Sequence, residues 1–345
     1  MNDFISRKSL VLLSLVGSLS VGSLAASASA NSAKSDTAPV SSITKVAAVN
    51  SNSKSQPQPS PFKPDQLLQL LQQEKYELIY GQTIAEFKKA FPLQDFKQAA
   101  RLYHSNVTSY KLKSHVTLNN TNYYAWTDPK GEKMIQVMFN SKNQIQFLIF
   151  DTLKLYPETD AKRTQTTFQL PFKGNWFVFW GGPNELINYH YGAEQQRYAY
   201  DLIVVNNGFS YKGDPAKNES YYAFGKPIFA AAAGKVVKVV NNIHDNSPVG
   251  TENTKEIAGN HVIIDHGNGE FSYYAHLQKG SVSVKVGDQV KAGDSLGKCG
   301  NSGNSSEAHL HFEVADSAEL YTTKSLRVNW KDADDYEQGT YIKAP

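Results

Sequence analysis

An α+β amino-terminal domain followed by an all-β open sandwich or barrel is the fold class this sequence predicts. Helical patterning near the start, alternating strands in the middle and Gly-punctuated short strands from Gly174 onward together give that reading. The chain has 345 residues, 40% of them hydrophobic, which is enough apolar material for two cores.

In the first domain, read over 65–155, Leu67, Leu68, Leu70 and Leu71 stripe one helix. Thr83 and Glu86 have the spacing of a capping box opening TIAEFKKAF, and Pro92 stops that helix. A further helix is expected from Asp95 to Leu102. Four strands follow in VTSYKLKSHVTL, TNYYAWTD, KMIQVMFN and NQIQFLIFD, with hairpin chemistry in Asp128-Pro129-Lys130-Gly131. Helices followed by a meander predict a curved sheet with the helices on its concave side, an order that resembles NTF2-like accessory domains. His104 and His115 have no partners at ligand spacing and read as surface or packing residues.

YPETDAKRTQTTFQLP breaks the periodicity and sets the boundary within 156–172, so the second domain is read over 172–345. Its strands fall in NWFVFWGG, YAYDLIVV, GKPIFAAAAGKVVKVV, NHVIIDHGNGEFSYYAHL, VKVGDQVKAGDSLGKCG and AHLHFEVAD.

Residues 1–30 have the form of an export signal. Arg7 and Lys8 form the positive region, Leu10 to Ala26 the apolar stretch, and Ala28-Ser29-Ala30 or Ala26-Ser27-Ala28 the cleavage site. The apolar run is Ser- and Gly-diluted for a membrane span, and no cysteine lies near it to carry a lipid. Residues 31–63, with SQPQPSPFKP, read as a disordered linker. The expectation is a soluble protein of the bacterial cell envelope or exterior.

Composition removes several function classes. A formal charge of +3 gives no basic stripe for nucleic acid. The single cysteine, Cys299, excludes an intrachain disulfide and a Cys-rich zinc module. Neither GxGxxG nor GxxxxGK[ST] occurs.

The chemistry gathers on histidines. His309-Leu310-His311 sits in a strand, where residues two apart share a face. Tyr274-Ala275-His276-Leu277 ends another strand, and His190 precedes the Tyr-Ala-Tyr-Asp201 strand. Histidines and a carboxylate from separate strands, without cysteine ligands, suit a catalytic zinc site with three protein ligands and one open position.

HVIIDHGNGEFSYYAHL and VKVGDQVKAGDSLGKCGNSGNSSEAHLHFEV closely resemble the lysostaphin/LytM-type zinc metallopeptidases, cell-wall endopeptidases of biotinyl/lipoyl-like β fold, over about 180–315. The resemblance implies Zn2+ held by a His, an Asp and the second His of HxH. Asp201 and His311 match two of these ligands, and His276 and His309 match the two non-ligand catalytic histidines. The common family spacing puts the first His four residues before the Asp, where this chain has Arg197, whose guanidinium stays protonated. His190, eleven residues before Asp201 as in members with a longer insertion, is taken as first ligand; His244, His261 and His266 are the alternatives. Tyr189 or Tyr191 is a further candidate oxyanion donor.

The function this implies is a secreted zinc metalloendopeptidase hydrolysing peptide cross-bridges of peptidoglycan, glycyl-glycine or D-alanyl. Which of His276 and His309 performs which proton transfer stays open, as does the oligomeric state. A degenerate LytM-like regulator that binds and activates another cell-wall hydrolase is the alternative. A biotinyl/lipoyl carrier, suggested by VKVGDQVKAGDSLG, lacks the modifiable lysine in an MKM or DKA tip.

Overall fold

The computed structural model describes residues 61–345, except 105 and 321. The export signal read at 1–30 and the linker up to residue 60 lie outside the described residues. Phe62, placed by sequence at the end of the linker, is instead buried beneath Phe139, with its N–H and C=O bonded to the Gln82 amide.

Four short helices open the described chain: α1 (Leu67–Gln72), α2 (Tyr76–Gly81), α3 (Ala85–Ala90) and α4 (Leu93–His104). The stripe of leucines puts Leu67 and Leu71 into the core through α1. The capping box is not formed: Thr83 turns its hydroxyl back to the Tyr80 carbonyl at 2.8 Å, and Ile84 occupies the cap position of α3 without a side-chain bond. Phe91, just before Pro92, ends that helix in extended backbone, because a residue preceding proline is pushed out of the helical region.

Strands β1 (Lys111–Leu118), β2 (Thr121–Thr127), β3 (Lys133–Phe139) and β4 (Ile145–Thr152) form an antiparallel meander in that order. Asn119 and Asn120, with φ of 50° and 61°, make the two-residue turn between β1 and β2. His104 stacks on Tyr110 and His115 on Tyr124, consistent with packing roles.

The sheet is covered on both faces. Trp126, Ile135, Val137, Phe139, Leu148 and Phe150 face the helices. Val116, Tyr123, Ala125, Met138, Phe147 and Ile149 face the rest of the chain and share a core with Phe177, Trp180, Leu186, Ile187 and Ile203. A sheet sandwiched in this way needs apolar residues at successive positions, which is what KMIQVMF and IQFLIF provide.

Next come α5 (Pro157–Asp160), β5 (Arg163–Phe168), β6 (Gly174–Trp180), β7 (Tyr200–Ile203), β8 (Pro227–Phe229), β9 (Gly234–Val240) and β10 (Asn260–Asp265). They are followed by β11 (Phe271–Leu277), β12 (Gln289–Val290), β13 (Ser295–Lys298), β14 (Leu310–Ala315), β15 (Ser325–Trp330) and β16 (Tyr341–Ala344). One sheet runs β12-β9-β10-β11-β14-β7-β6-β16, with β15 beside β14 and β5 parallel to β15; β13 and β8 form a second, two-stranded sheet. The structure is thus mostly β, with a small helical region at its amino-terminal side.

Strand β5 corrects the reading of 156–172 as a break. Phe168 belongs to the same core as Phe312 and Trp330, although it precedes residue 172. Its RTQTTF has too few apolar residues to announce a strand by periodicity. Among the described residues, no helix is long and apolar enough to cross a membrane.

Because Phe62 is core rather than linker, Phe62→Ala should lower stability by about 3 kcal/mol. A urea midpoint equal to that of the parent protein would contradict this placement.

Candidate active site

Strand register assembles the centre. On β14, His311 pairs with Asp201 of β7 on one side and with Ala275 of β11 on the other. Residues directly opposite in antiparallel strands share a face, so this pairing sets an imidazole beside a carboxylate. His311 Nδ1 donates to Asp201 Oδ1 at 3.0 Å.

His190 arrives from the loop between β6 and β7, in a single 3-10 turn over Tyr189–Gly192. Asn188 organises that loop. Fully buried, it gives its amide to the carbonyls of Gly182 and Ala199 and accepts the His190 N–H. His190 Nε2 is thereby set 3.1 Å from Asp201 Oδ2.

His276 lies on β11 at φ 60°, in a bulge where the β10 pairing skips a residue. A left-handed histidine costs on the order of 1 kcal/mol and persists only when its surroundings hold it. The GNSG loop supplies that hold: Ser302 O accepts His276 Nδ1–H at 2.8 Å, while Ser302 Oγ donates to Leu277 O and accepts from Asn260 N–H. Gly303 and Gly259 allow this close approach, since a Cβ on Gly303 would sit 2.4 Å from Gly259 N. His309 just precedes β14; its Nδ1–H donates to Glu307 O at 2.8 Å, leaving Nε2 3.6 Å from Asp201 Oδ1. A carbonyl can only accept, so both rings carry their proton on Nδ1 and present a bare Nε2. The His276 and His309 rings are 4.7 Å apart.

All five residues expected from the sequence therefore meet in one place. They line a cavity of about 340 Å³ whose apolar wall includes Phe179, Trp180, Tyr189, Ile257 and Leu320.

Residues 220–323 match the model of peptidase family M23. Among curated relatives, lysostaphin of Staphylococcus simulans is 34% identical over 112 residues, 32% of this chain and 19% of that protein. The peptidoglycan DD-endopeptidase ShyA of Vibrio cholerae is 34% identical over 90 residues, 26% of this chain and 17% of that protein. Among solved structures, the lysostaphin catalytic domain from Staphylococcus simulans aligns at TM-score 0.26 and 21% identity, over 44% of this chain and 88% of that one. Residues 220–323 are a peptidase M23 domain of the LytM type. The match spans under a fifth of the length of either curated relative named here. It includes His276, His309 and His311 but begins after His190 and Asp201, which reach the M23 residues through β7 and the loop before it.

The donor set fits a zinc ion. Candidate ligand atoms of His190, Asp201 and His311 all lie within 4.8 Å of one another, and all three residues are buried. Ligands at about 2.0–2.1 Å around a tetrahedral zinc stand roughly 3.3 Å apart, close to the separations seen here. His190 Nδ1 and His311 Nε2 are buried without hydrogen-bond partners, so each ring makes one side-chain hydrogen bond, and both go to a single carboxylate.

Electrostatics follow from this crowding. Burial would raise the Asp201 carboxyl, but the charges of His190 and His309 and the bonds from His190 and His311 hold it well below the usual carboxylate range. Burial would likewise lower His311, yet Asp201 and Glu313 outweigh it and raise the ring to about 10. His276 is pushed well down, first by burial and then by His309 and His311; His309 is also lowered, chiefly by burial.

The other histidines are engaged elsewhere. His266 is held by Ala233 O and Ser272, His261 bonds Gly259 O, and His244 is exposed beside Lys279. Tyr189 lines the cavity, whereas Tyr191 spends its hydroxyl on Asp160 and so drops out as an oxyanion donor. Arg197, at the family's usual ligand position, lies 3.5 Å over the Tyr156 ring and donates to Tyr191 O. Glu313 was missed in the sequence. It continues the His309, His311 alternation on β14 and sets Oε1 3.8 Å from His311 Nε2.

The pH dependence of the metal-free protein follows. His311, raised to about 10, contributes stability that is full below its unfolded value near 6.5 and is lost as pH climbs towards 10. His276 and His309, lowered, contribute stability present above about 6.5 and lost as pH falls below it. Thermal melts in excess chelator should therefore peak near neutrality and fall on both sides. A curve still rising at pH 9 would rule out this ion-pair arrangement.

Proposed function

We propose that this chain is a secreted zinc metalloendopeptidase that hydrolyses peptide cross-bridges of bacterial peptidoglycan. The convergence of His190 Nε2 and His311 Nδ1 on the Asp201 carboxylate, with His276 and His309 alongside, is the observation that carries the reading. The M23 match and the peptidoglycan endopeptidases among the relatives give the substrate class. A degenerate regulator would be expected to lack part of the ligand set, whereas here His190, Asp201 and His311 offer three candidate ligand atoms within 4.8 Å of one another.

His190, Asp201 and His311 would hold the zinc, and Glu313 would steady His311 through its far nitrogen. When bound, zinc supplies Lewis acidity for a peptide carbonyl and lowers the pKa of water to about 7. His309 takes the proton of the attacking water at its bare Nε2. That proton then passes from His309 to the leaving amine as the C–N bond breaks, while His276, with its own Nε2 bare, accepts a hydrogen bond from the hydroxyl of the tetrahedral adduct. Their depressed basicity keeps both rings neutral and able to accept at neutral pH. Tyr189, Trp180 and Phe179 offer an apolar wall for the peptide backbone. Export by residues 1–30 would bring the enzyme to its substrate.

His190→Ala, Asp201→Ala and His311→Ala should each remove bound zinc and reduce wall digestion at least about 1,000-fold, whereas His309→Ala should keep the zinc and lose the activity. Metal analysis combined with mass spectrometry of peptides released from purified cell wall, with and without chelator, measures both. Near-parent turnover by the His309 variant, or digestion unaffected by chelator, would refute the assignment.

A further inference from the structure

We infer that the amino-terminal sheet is part of the frame that positions the metal ligands, and that Tyr123 is the positioning residue through which it acts on His190. The inference rests on the zinc reading above and extends it to residues far outside the M23 match.

Two separate contacts lead from the sheet to the ligands. The first runs through β2. Tyr123, buried on the sheet face turned away from the helices, donates its hydroxyl to Leu186 O at 2.8 Å and meets the Trp180 ring edge-on at 5.7 Å. Leu186 and Ile187 are buried in that same core, and Gln136 of β3 adds a bond to Glu185 O at 3.3 Å. Leu186 to Asn188 lead directly into the turn that carries His190, and Trp180 backs Tyr189, whose ring lies 3.9 Å from the His190 ring. Among the described residues the loop pairs with no strand here, and the sheet packs behind Leu186 and Ile187.

The second contact is the hairpin tip. Asn119 holds the loop that leaves β7: its side chain accepts from Ser210 N–H and donates to Ser210 Oγ, both at 2.9 Å, and its own N–H donates to Gly208 O. Ile203, at the end of the Asp201 strand, lies in the shared core. The sheet thus grips the loop carrying one ligand and the far end of the strand carrying another. A ligand held by a well-packed loop binds metal without first being ordered, whereas a loosened one must be fixed on binding, and the affinity falls accordingly.

The test is zinc affinity of the full chain by chelator competition, well below the melting temperature. Tyr123→Phe should weaken zinc binding about tenfold, the lower end of the loss seen when a supporting partner of a metal ligand is removed. Wall digestion should return when zinc is supplied in excess. Tyr124→Phe is the control, because Tyr124 lies on the other face, against the helices and His115. It should leave zinc affinity unchanged whatever it does to melting. Should Tyr123→Phe not fold, Asn119→Gly, which suits the left-handed backbone there, takes its place with the same expectation. Equal zinc affinity in Tyr123→Phe and the parent, or equal losses in the two tyrosine variants, would overturn the inference. A parent protein that takes up no zinc would instead overturn the zinc reading itself.

Discussion

One buried carboxylate organises this molecule. Asp201 accepts from His311 and His190 and lies 3.6 Å from His309, at a point where almost no water reaches. An ionised carboxylate in such a place is expensive unless it is neutralised and hydrogen-bonded, and the two imidazoles do both. The rest of the fold can be read as the apparatus that brings those rings there: a register that pairs β7 with β14, a bulge that turns His276 out of the pleat, and a loop whose Asn188 gathers three backbone segments.

The same constraint accounts for features that would be odd in a purely structural domain. A histidine in left-handed backbone and glycines packed too closely for any Cβ are costs for folding. They lie together around Ser302, the residue that determines which nitrogen of His276 carries its proton. Strain gathered at the residues that face a cavity is how a site is preorganised.

The loop that carries His190 extends this logic beyond the sheet that holds Asp201, His276 and His311. Leu186 and Ile187 of that loop are sunk into an apolar layer shared with β1 to β4. The meander is then a slab with a core on each side, one made with its own helices and one with β6, β7 and the loop between them.

Much was legible in the sequence. The HxH alternation put His309 and His311 on one strand face, and the resemblance to the LytM-type peptidases singled out Asp201 and His276 beside them. His190 was preferred to His244, His261 and His266 because the family's usual position holds Arg197, and the structure sets His190 beside Asp201. What the chain order could not convey was partnership between distant segments. Nothing in RTQTTF announces a strand, and its role exists only once β15 is alongside. Nothing in Tyr123 or Phe62 names the surface that buries it, because apolar burial is non-directional and one hydrophobic face suits many partners. Local periodicity determined which residues could meet across a strand; only the packing of the whole decided which faces closed on each other, and so which surface backs the loop that sets His190 beside Asp201.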